Sequence, residues 1–378
     1  MYTELFDKIA FSEAKERVLS KSKLDIESAL HTSHSGKVLN FEEYLSLLHP
    51  SADSYLEEMA ELSINWTKKR FGNTISLYMP MYLSNECRSS CVYCGFSFEN
   101  KIPRKTLNES EIRAESEVLY SKGIRHLLIL TGEDYSITNL EYLRSAVRIL
   151  KSYFDSISIE IYPMDQEKYE VLIGEGVEGL VVYQETYDPE VYSKYHLRGM
   201  KKNMRYRLDA PDRGGLAGFR RIGVGALLGL SDPYGEMFRL AEHAHYLSKK
   251  YWRTTIQISL PRMRPAEGEF DKTIFVSDRE YVRFLFALRL FLPDSGLVQS
   301  TRESIRMRNH LAGMPITHMS VESRTDPGGY SGGEELKQFE IEDTRKIEEF
   351  TEMLRKKGLD PVFKDFDRAF LQVPDRMN

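Results

Sequence analysis

Residues 74–94 read TISLYMPMYLSNECRSSCVYC and join a β-type run to a group of three cysteines. The run at 75–82 is rich in apolar and aromatic residues, which is typical of a buried strand. Seven more such runs follow along the chain, at 126–131, 157–162, 179–184, 222–227, 255–260, 297–301 and 316–321. Amphipathic helical patterns separate several of them, most clearly at 109–122, 142–154, 234–250 and 278–291. Alternating strands and helices predict a parallel sheet with right-handed crossovers.

Eight strand–helix units within about 250 residues predict an α/β fold, a (β/α)8 TIM-type barrel over residues 73–333. An open doubly wound sheet is the alternative. Residues 1–72 carry apolar side chains at helical spacing and predict a helical N-terminal extension. Residues 334–378 contain one more helical pattern at 343–357 and an aromatic end at 362–370, and they predict a helical cap on the barrel. In such a barrel the active site lies in the loops that follow the strands.

The composition argues against several classes of function. The 378 residues carry a net charge of −5 and contain no apolar run of the ~18 residues that a membrane span needs. A weakly acidic chain has no electrostatic attraction for nucleic acid or an anionic membrane. The basic pair Lys201-Lys202 is therefore predicted to lie on a solvated surface. The charged N-terminus lacks the apolar core of a signal peptide, and three cysteines make no disulfide framework, so we expect a cytoplasmic protein.

All three cysteines, Cys87, Cys91 and Cys94, fall within eight residues just after the first predicted strand. A structural zinc site normally has four protein ligands, and the nearest histidines along the chain are more than thirty residues away. Three thiolates instead suit a [4Fe–4S] cluster in which one of the four irons keeps a coordination position open. An electron carrier would fill that position, whereas an enzyme that binds a ligand to the cluster leaves it open. The motif therefore predicts a cluster that takes part in catalysis.

The spacing C-x3-C-x2-C, with Tyr93 before the last cysteine, resembles the radical SAM superfamily. The resemblance implies a [4Fe–4S] cluster on the three cysteines, with S-adenosyl-L-methionine (SAM) chelated to its open iron and Tyr93 beside the cofactor. One electron from the cluster would cleave SAM to methionine and a 5′-deoxyadenosyl radical. Because the motif is common to the whole superfamily, it does not identify the substrate.

Five further residues are matched to SAM by this resemblance. Gly132 and Glu133 end the second predicted strand and correspond to the pair that meets the SAM amino group, with a helix cap as the alternative. Glu160 and Tyr162, in the third strand, correspond to contacts of the ribose, with plain packing as the alternative. Arg207 corresponds to the arginine that holds the SAM carboxylate, unless it is a surface residue.

Eight short blocks narrow the resemblance to the aromatic amino acid lyases of this superfamily. They are LYMPMYLSNEC (77–87), CGFS (94–97), RKTL (104–107), TGE (131–133), YQETY (183–187), GVGALLGL (223–230), STRES (300–304) and PGGY (327–330). The resemblance runs from about residue 40 to the end of the sequence, and it is closest to the lyases that act on tyrosine in thiamine biosynthesis.

Arg302 carries the prediction of the substrate. It directly follows a predicted strand, and its planar guanidinium can take an amino acid carboxylate through two parallel hydrogen bonds, as the matching arginine of these lyases does. The alternative is an ion pair with Glu303 or Glu322. Three hydroxyl residues are further candidates for the substrate site: Tyr82, Ser320 and Ser323.

The reaction implied by the resemblance starts from L-tyrosine, which Arg302 orients so that the radical takes a hydrogen atom from the amino nitrogen. Cleavage of the Cα–Cβ bond then gives 2-iminoacetate (dehydroglycine) and a 4-hydroxybenzyl fragment that leaves as p-cresol. Thiazole synthase is the expected recipient of the short-lived 2-iminoacetate, and reduced flavodoxin or ferredoxin is the expected electron donor. Orientation is the protein's main contribution, because the cofactor supplies the difficult chemistry.

Three alternatives remain from the sequence. A sister lyase makes carbon monoxide and cyanide from tyrosine for hydrogenase maturation, but it binds a second cluster through further cysteines, and none follows Cys94 here. A relative that acts on tryptophan or another aromatic amino acid is not separated by the pocket residues, and product analysis would decide. A non-enzymatic iron–sulfur carrier would hold a cluster that does not respond to SAM, although a barrel of this size is excessive for that role.

Overall fold

The computed structural model describes residues 1–266, 270, 273–332 and 338–364, and it confirms the predicted barrel. The eight barrel strands are β1 Thr74–Ser84, β2 His126–Thr131, β3 Ser156–Glu160, β4 Gly179–Glu185, β5 Arg221–Ala226, β6 Thr255–Ser259, β7 Gly296–Gln299 and β8 His318–Ser320. All neighbouring strands are parallel, and the pairing of β8 with β1 closes the ring. Each predicted strand matches an observed one to within two residues at either end. The open doubly wound sheet is therefore excluded.

Helices surround the barrel and precede it. The N-terminal part forms Thr3–Phe6, Phe11–Leu19, Lys23–His34, Phe41–Leu48, the 3-10 helix Pro50–Tyr55 and Leu56–Phe71. The helices that follow are Glu109–Ser121, Leu140–Leu150, Gln166–Glu175, Pro189–Tyr195, the 3-10 helix Met200–Lys202, Met204–Leu208, Ala210–Ala217, Pro233–Lys250, Asp278–Phe291, Ile305–Leu311 and Ile347–Lys356. In the part of the chain that the structure describes, none of them is long and apolar enough to cross a membrane.

The N-terminal helices pack on the outer helical layer. The backbone N–H of Tyr2 donates to the Asp212 carboxylate at 2.8 Å, and the Tyr2 ring stacks on His243 with 4.0 Å between the ring centroids. The last N-terminal helix ends at Gly72, whose φ of +64° suits glycine, and β1 begins two residues later. The extension thus leads directly into the strand that precedes the three cysteines.

Three short elements were not predicted from the sequence. Ser90–Cys91 pairs with His196–Arg198 in an antiparallel ribbon, so the cysteine loop is tied to the loop that follows β4. Asp360–Val362 pairs with the N-terminal end of β1, at the end of the barrel opposite to the cysteines.

The third unpredicted element is residues 338–343, which we call the cover segment. Hydrogen bonds attach it to Gly95, Thr325, Pro265 and Thr301, which belong to different loops at the C-terminal end of the barrel. The predicted boundary between barrel and cap falls within 333–337, and most of the aromatic end at 362–370 also lies outside the described residues.

Arg289 offers a test of how the barrel is held closed. It is fully buried, and its guanidinium donates to the carbonyls of Pro293, Ser295 and Pro315, which precede β7 and β8. Arg289→Met would leave these carbonyls without a donor, so we expect the free energy of unfolding to fall by about 3 kcal/mol. The measurement is the midpoint of urea unfolding. Arg113→Met, on an exposed helix face, is the control and should change stability by less than about 0.5 kcal/mol.

Candidate functional site

A cavity lies at the C-terminal end of the barrel, where the fold predicts an active site. It has about 950 Å³ of empty space, part of it open to solvent, which is at the upper end of the ~300–1,000 Å³ typical of ligand pockets. Seven of the predicted site residues line it: Tyr82, Tyr93, Cys94, Glu160, Arg302, Ser320 and Ser323. The structure therefore brings the predicted cofactor and substrate residues to one place, although the sequence separates them by more than 200 residues.

The cysteine loop is held in shape by Arg104 and Asn85. The Arg104 guanidinium donates to the carbonyls of Asn85, Phe96, Ser97 and Asn100 at 2.7–3.2 Å, so one side chain joins both ends of the loop. The Asn85 side chain closes the same loop through its own bonds to the backbone that precedes and follows Arg104. The residues between them are positioned before any cofactor binds.

The three cysteine thiols lie close to one another in the loop. Burial, with Glu133 and Cys94 nearby, raises the pKa of Cys87 to about 11, and burial also raises the pKa of Cys91 well above its usual value. Iron would offset this cost, because a bound cation stabilises the thiolates. Among the described residues, no three His, Cys, Asp or Glu side chains are placed to hold a single metal ion. A cubane cluster does not need that arrangement, since its thiolates attach to different irons.

Gly132 lies against the backbone of the cysteine loop. A Cβ at this position would be 2.2 Å from the Glu86 carbonyl oxygen and 3.2 Å from the Cys87 Cβ. Only a residue without a side chain permits this approach. The predicted pair Gly132 and Glu133 is thus in contact with the first cysteine.

Glu133 and Arg207 form a buried ion pair beside the loop, with 2.9 Å between Glu133 Oε1 and Arg207 Nη1. The hydroxyl of Ser89 donates to the other oxygen of the Glu133 carboxylate, and Arg207 Nε donates to the Tyr183 carbonyl. An adjacent carboxylate and guanidinium present charges complementary to the ammonium and carboxylate of an α-amino acid. The pair therefore fits the methionine end of SAM.

The prediction that Lys201 lies on a solvated surface is wrong. Its side chain is only 12% exposed and lines the cavity, with 2.8 Å between Lys201 Nζ and Glu185 Oε1. Burial opposes ionisation of Glu185, but Lys201 and Arg207 hold its pKa below the usual value. Glu185 also has a φ of +71°, a left-handed conformation that is strained for a non-glycine residue and is typical of functional sites.

Tyr93 is fixed by His196. Burial lowers the pKa of His196 to about 3, so the ring is neutral at pH 7. Its Nδ1 faces the Tyr192 carbonyl, which can only accept, and must therefore carry the hydrogen. Nε2 is then an acceptor, and the Tyr93 hydroxyl donates to it at 2.7 Å. The bond anchors the aromatic residue of the cysteine motif against the ribbon partner of Cys91.

Arg302 does not form either of the ion pairs that were its alternatives. The Glu303 carboxylate accepts from Arg262 Nε at 2.9 Å, and the Glu322 carboxylate pairs with Lys122. Both carboxylates are therefore engaged elsewhere, and the guanidinium of Arg302 is left to the cavity that it lines.

The surroundings of Arg302 contain an aromatic ring but, in the described part of the chain, no carboxylate within ion-pair distance. Its guanidinium carbon lies 3.4 Å from the centre of the Phe339 ring in the cover segment. Within the described ranges its side chain makes no hydrogen bond and no ion pair. Burial lowers its pKa, although the nearby Glu185 and Glu160 act in the opposite direction. A partly buried guanidinium without a hydrogen-bonded partner is suited to bind a ligand carboxylate.

The two predicted residues of the third strand have different surroundings. Glu160 is the last residue of β3 and lines the cavity. Tyr162 does not line it, because its hydroxyl donates to the Thr138 carbonyl at 2.7 Å and its ring packs near Tyr135. Glu160 can therefore reach a ligand in the cavity, as the predicted ribose contact requires. Tyr162 packs outside the cavity.

The serine candidates are linked to the loop that carries Arg302. The Ser320 hydroxyl accepts from the Thr301 N–H at 3.1 Å and lies 3.2 Å from the Ser323 hydroxyl, which donates to it. The Ser320 hydroxyl also has a hydrogen bond with the Tyr78 hydroxyl, which lies on the same cavity.

Tyr82 connects the cavity to a cluster ligand. Its hydroxyl donates to Gln338 Oε1 at 2.7 Å, and Gln338 Nε2 lies 3.7 Å from the Cys94 sulfur. Sequence reasoning missed Gln338, Lys201 and Glu185 as site residues. The block YQETY contains Glu185 at a strand end and could have indicated it, whereas nothing in the sequence marks Gln338.

Comparisons with known proteins agree with this geometry. The model of the radical SAM superfamily matches residues 81–263, and that of the Biotin and Thiamin Synthesis associated domain matches residues 259–360. The chain is 38% identical to the curated 2-iminoacetate synthase of Escherichia coli K12, over 100% of this chain and 99% of the relative. It is equally similar to the 2-iminoacetate synthase of Salmonella typhimurium, over 97% of both chains.

A solved structure shares both the fold and part of the sequence. The FeFe-hydrogenase maturase HydG from Carboxydothermus hydrogenoformans superimposes with a TM-score of 0.89 at 32% identity, over 96% of this chain and 85% of that one. The similarity therefore extends through nearly all of this chain, including the N-terminal helices.

Gly132→Ala tests the contact between β2 and the cysteine loop. The added methyl group would meet the Glu86 carbonyl, and displacing the loop costs about 1–3 kcal/mol. We expect much lower iron and sulfide content after anaerobic reconstitution. Gly174→Ala is the matched control, since a Cβ there meets nothing within 4 Å. Full cluster content in Gly132→Ala would show that the loop does not need this close approach.

Proposed function

The chain belongs to the family of 2-iminoacetate synthases within the radical SAM superfamily, and on that premise we propose that it cleaves the Cα–Cβ bond of L-tyrosine. The products are 2-iminoacetate, for the thiazole moiety of thiamine, and p-cresol. The chain is thus a radical SAM carbon–carbon lyase, and its cofactors are a [4Fe–4S] cluster and SAM.

The observation that carries the proposal is the unpaired guanidinium of Arg302. It is a partly buried cation in a cavity whose other arginine, Arg264, already pairs with Glu342 at 2.8 Å. A substrate carboxylate would supply the missing counter-charge through two parallel hydrogen bonds. The side chain of Ser320 lines the same cavity.

The cofactors fit the residues beside the cavity. Cys87, Cys91 and Cys94 would hold the cluster, and Glu133 with Arg207 would hold the amino acid end of SAM. When bound, the reduced cluster and SAM supply a radical that abstracts a hydrogen atom from the substrate.

The chain's own residues orient the substrate and exclude water. Arg302 fixes the carboxylate, and Tyr82 lies on the same cavity wall, where we place the amino group. Apolar side chains between these groups can receive an aromatic ring: Pro80, Leu128, Leu130 and Leu227. The cover segment crosses the mouth and keeps solvent from a reactive intermediate.

The alternatives to this proposal are an activity in hydrogenase maturation and a lyase for another aromatic amino acid. HydG is a maturase of the FeFe-hydrogenase, but this sequence contains no cysteine outside the loop at 87–94 that could bind a second cluster. A lyase for tryptophan or another aromatic amino acid would use the same Arg302. Formation of 3-methylindole-2-carboxylate, rather than p-cresol and glyoxylate, would favour the tryptophan reading.

The proposal extends to partners and location. Thiazole synthase would take over 2-iminoacetate, and the protein would act in the cytoplasm. Reduced flavodoxin or ferredoxin would deliver the electron near the antiparallel ribbon, which lies directly outside the cysteine loop. Arg198 is exposed there over the Phe98 ring, and Leu197 and Met200 are 53% and 44% exposed. A basic, partly apolar surface on a chain of net charge −5 suits an acidic carrier.

Arg302→Lys keeps the positive charge but loses the planar fork. We expect formation of p-cresol and glyoxylate to fall about 30-fold, the equivalent of about 2 kcal/mol, because one bidentate contact is lost. Reductive cleavage of SAM should persist. Products are measured by chromatography after anaerobic reconstitution, with Arg306→Lys, exposed on the following helix, as control. Unchanged tyrosine turnover in Arg302→Lys would remove Arg302 from the substrate site.

Arg198→Glu tests the electron-donor surface. Reversing this charge should lower the rate of 5′-deoxyadenosine formation driven by reduced flavodoxin about 10-fold at low salt, because steering of an acidic carrier is weakened. The rate with dithionite should not change, which separates docking from damage to the cluster. Arg113→Glu is the matched control. An equal loss with both reductants would contradict the docking assignment.

A further inference from the structure

The charged side chains of the cavity leave one anion and one cation without an ion pair. Glu185 pairs with Lys201, and Arg264 pairs with Glu342. Glu160 and Arg302 complete the set of charged lining residues, and in the part of the chain that is described neither side chain has a hydrogen bond or an ion pair. They attract each other only across the space of the cavity, so a ligand that bonds to both would offset the cost of their partial burial.

The two free groups match the two charges of an α-amino acid. A guanidinium binds the carboxylate, and a carboxylate binds the ammonium group. The other carboxylates near the cavity have other partners, since Glu133 is assigned with Arg207 to the amino acid end of SAM and Glu185 pairs with Lys201. Glu160 is therefore the acidic group left for the substrate nitrogen.

The proposed reaction also requires a base at that nitrogen. An ammonium nitrogen has no lone pair to stabilise a radical centre, so a hydrogen atom is removed from it far less readily than from a neutral amine. We propose that Glu160 is a catalytic base that accepts one proton from the substrate α-ammonium group before hydrogen-atom abstraction. This inference rests on the proposed tyrosine lyase function. The proton moves from nitrogen to the Glu160 carboxylate, leaving a neutral amine and a neutral carboxylic acid, and no electron is transferred.

The environment of Glu160 gives it the basicity for this step. Burial and the nearby Glu185 raise its pKa to about 7, although Arg302, Arg207 and Lys201 act in the opposite direction. A desolvated site disfavours both charged groups and so favours the neutral pair after proton transfer.

Three phenols also face Glu160 across the cavity, those of Tyr78, Tyr82 and Tyr183. Burial raises the pKa of each phenol above its usual value. They stay protonated near pH 7 and do not compete as bases.

Glu160→Gln removes the proton acceptor while keeping the shape of the side chain. In the wild type, kcat/KM for L-tyrosine should rise with pH through about 7, because the carboxylate is the active form. In Glu160→Gln we expect p-cresol formation to fall about 100-fold and this rising limb to disappear. Glu160→Asp should restore part of both. Glu190→Gln, an exposed carboxylate on the same side of the barrel, should leave the profile unchanged.

A binding experiment provides a readout besides turnover. L-Tyrosine is compared with 3-(4-hydroxyphenyl)propionate, which lacks only the amino group, by calorimetry on the anaerobic holoenzyme with SAM. The wild type should prefer tyrosine, Glu160→Gln should bind both alike, and Arg302→Lys should weaken both. Normal cluster content and normal SAM affinity of Glu160→Gln establish that the variant is folded.

Several outcomes would overturn the inference. A retained preference for tyrosine, or an unchanged pH profile, would remove Glu160 from the substrate nitrogen. A loss of SAM affinity in Glu160→Gln, with the tyrosine preference intact, would instead place Glu160 at the SAM ribose. If the wild type forms no p-cresol from tyrosine, the proposed function itself fails, and that result is independent of every Glu160 variant.

Discussion

A guanidinium that is withdrawn from water gains most from a hydrogen-bonded counter-charge, and in the described part of the chain no carboxylate forms an ion pair with Arg302. The other charged groups of the mouth are matched within the chain, including Glu133 with Arg207 and Glu185 with Lys201. Such pairs hold each other in place within the barrel mouth. On the proposed function, the two charges without an ion pair would select the ligand, because an α-amino acid carries the complementary pair of charges.

The barrel brings these two charges together at the carboxyl ends of its strands. Its eight parallel strands point their carboxyl ends toward the same side, so that Glu160 from β3 and Arg302 after β7 meet although 142 residues separate them. The cysteine loop follows β1 and is clamped by Arg104 independently of the substrate residues. The cover segment then joins the two halves of the site, since Gln338 contacts the cysteine side and Phe339 the Arg302 side. Cofactor and substrate sites are thus separate in sequence and continuous in space.

The sequence predicted those parts that depend on local pattern. Buried strands require apolar runs, and three thiolates require a characteristic spacing, so the barrel and the cysteine loop could both be read directly. Arg302 could be identified because it follows a strand. Lys201 was misjudged because a basic pair normally lies in solvent, and its partner Glu185 approaches it only through the unusual backbone conformation at the end of β4. Tyr162 packs outside the cavity because β3 ends at Glu160 and the chain turns toward Thr138. Gln338 reaches the site from 244 residues beyond Cys94, a contact that no local pattern encodes.

The position of the two unmatched charges has a consequence for the end of the catalytic cycle. Bond cleavage divides the substrate into a fragment that keeps the carboxylate and an aromatic fragment that keeps neither charge. p-Cresol has no charged group that could form an ion pair with the protein. Product inhibition by this phenol should therefore be weak. On the proposed function, the imine would keep its carboxylate on Arg302 until thiazole synthase takes it over. The same guanidinium would thus retain the labile product while the phenol leaves.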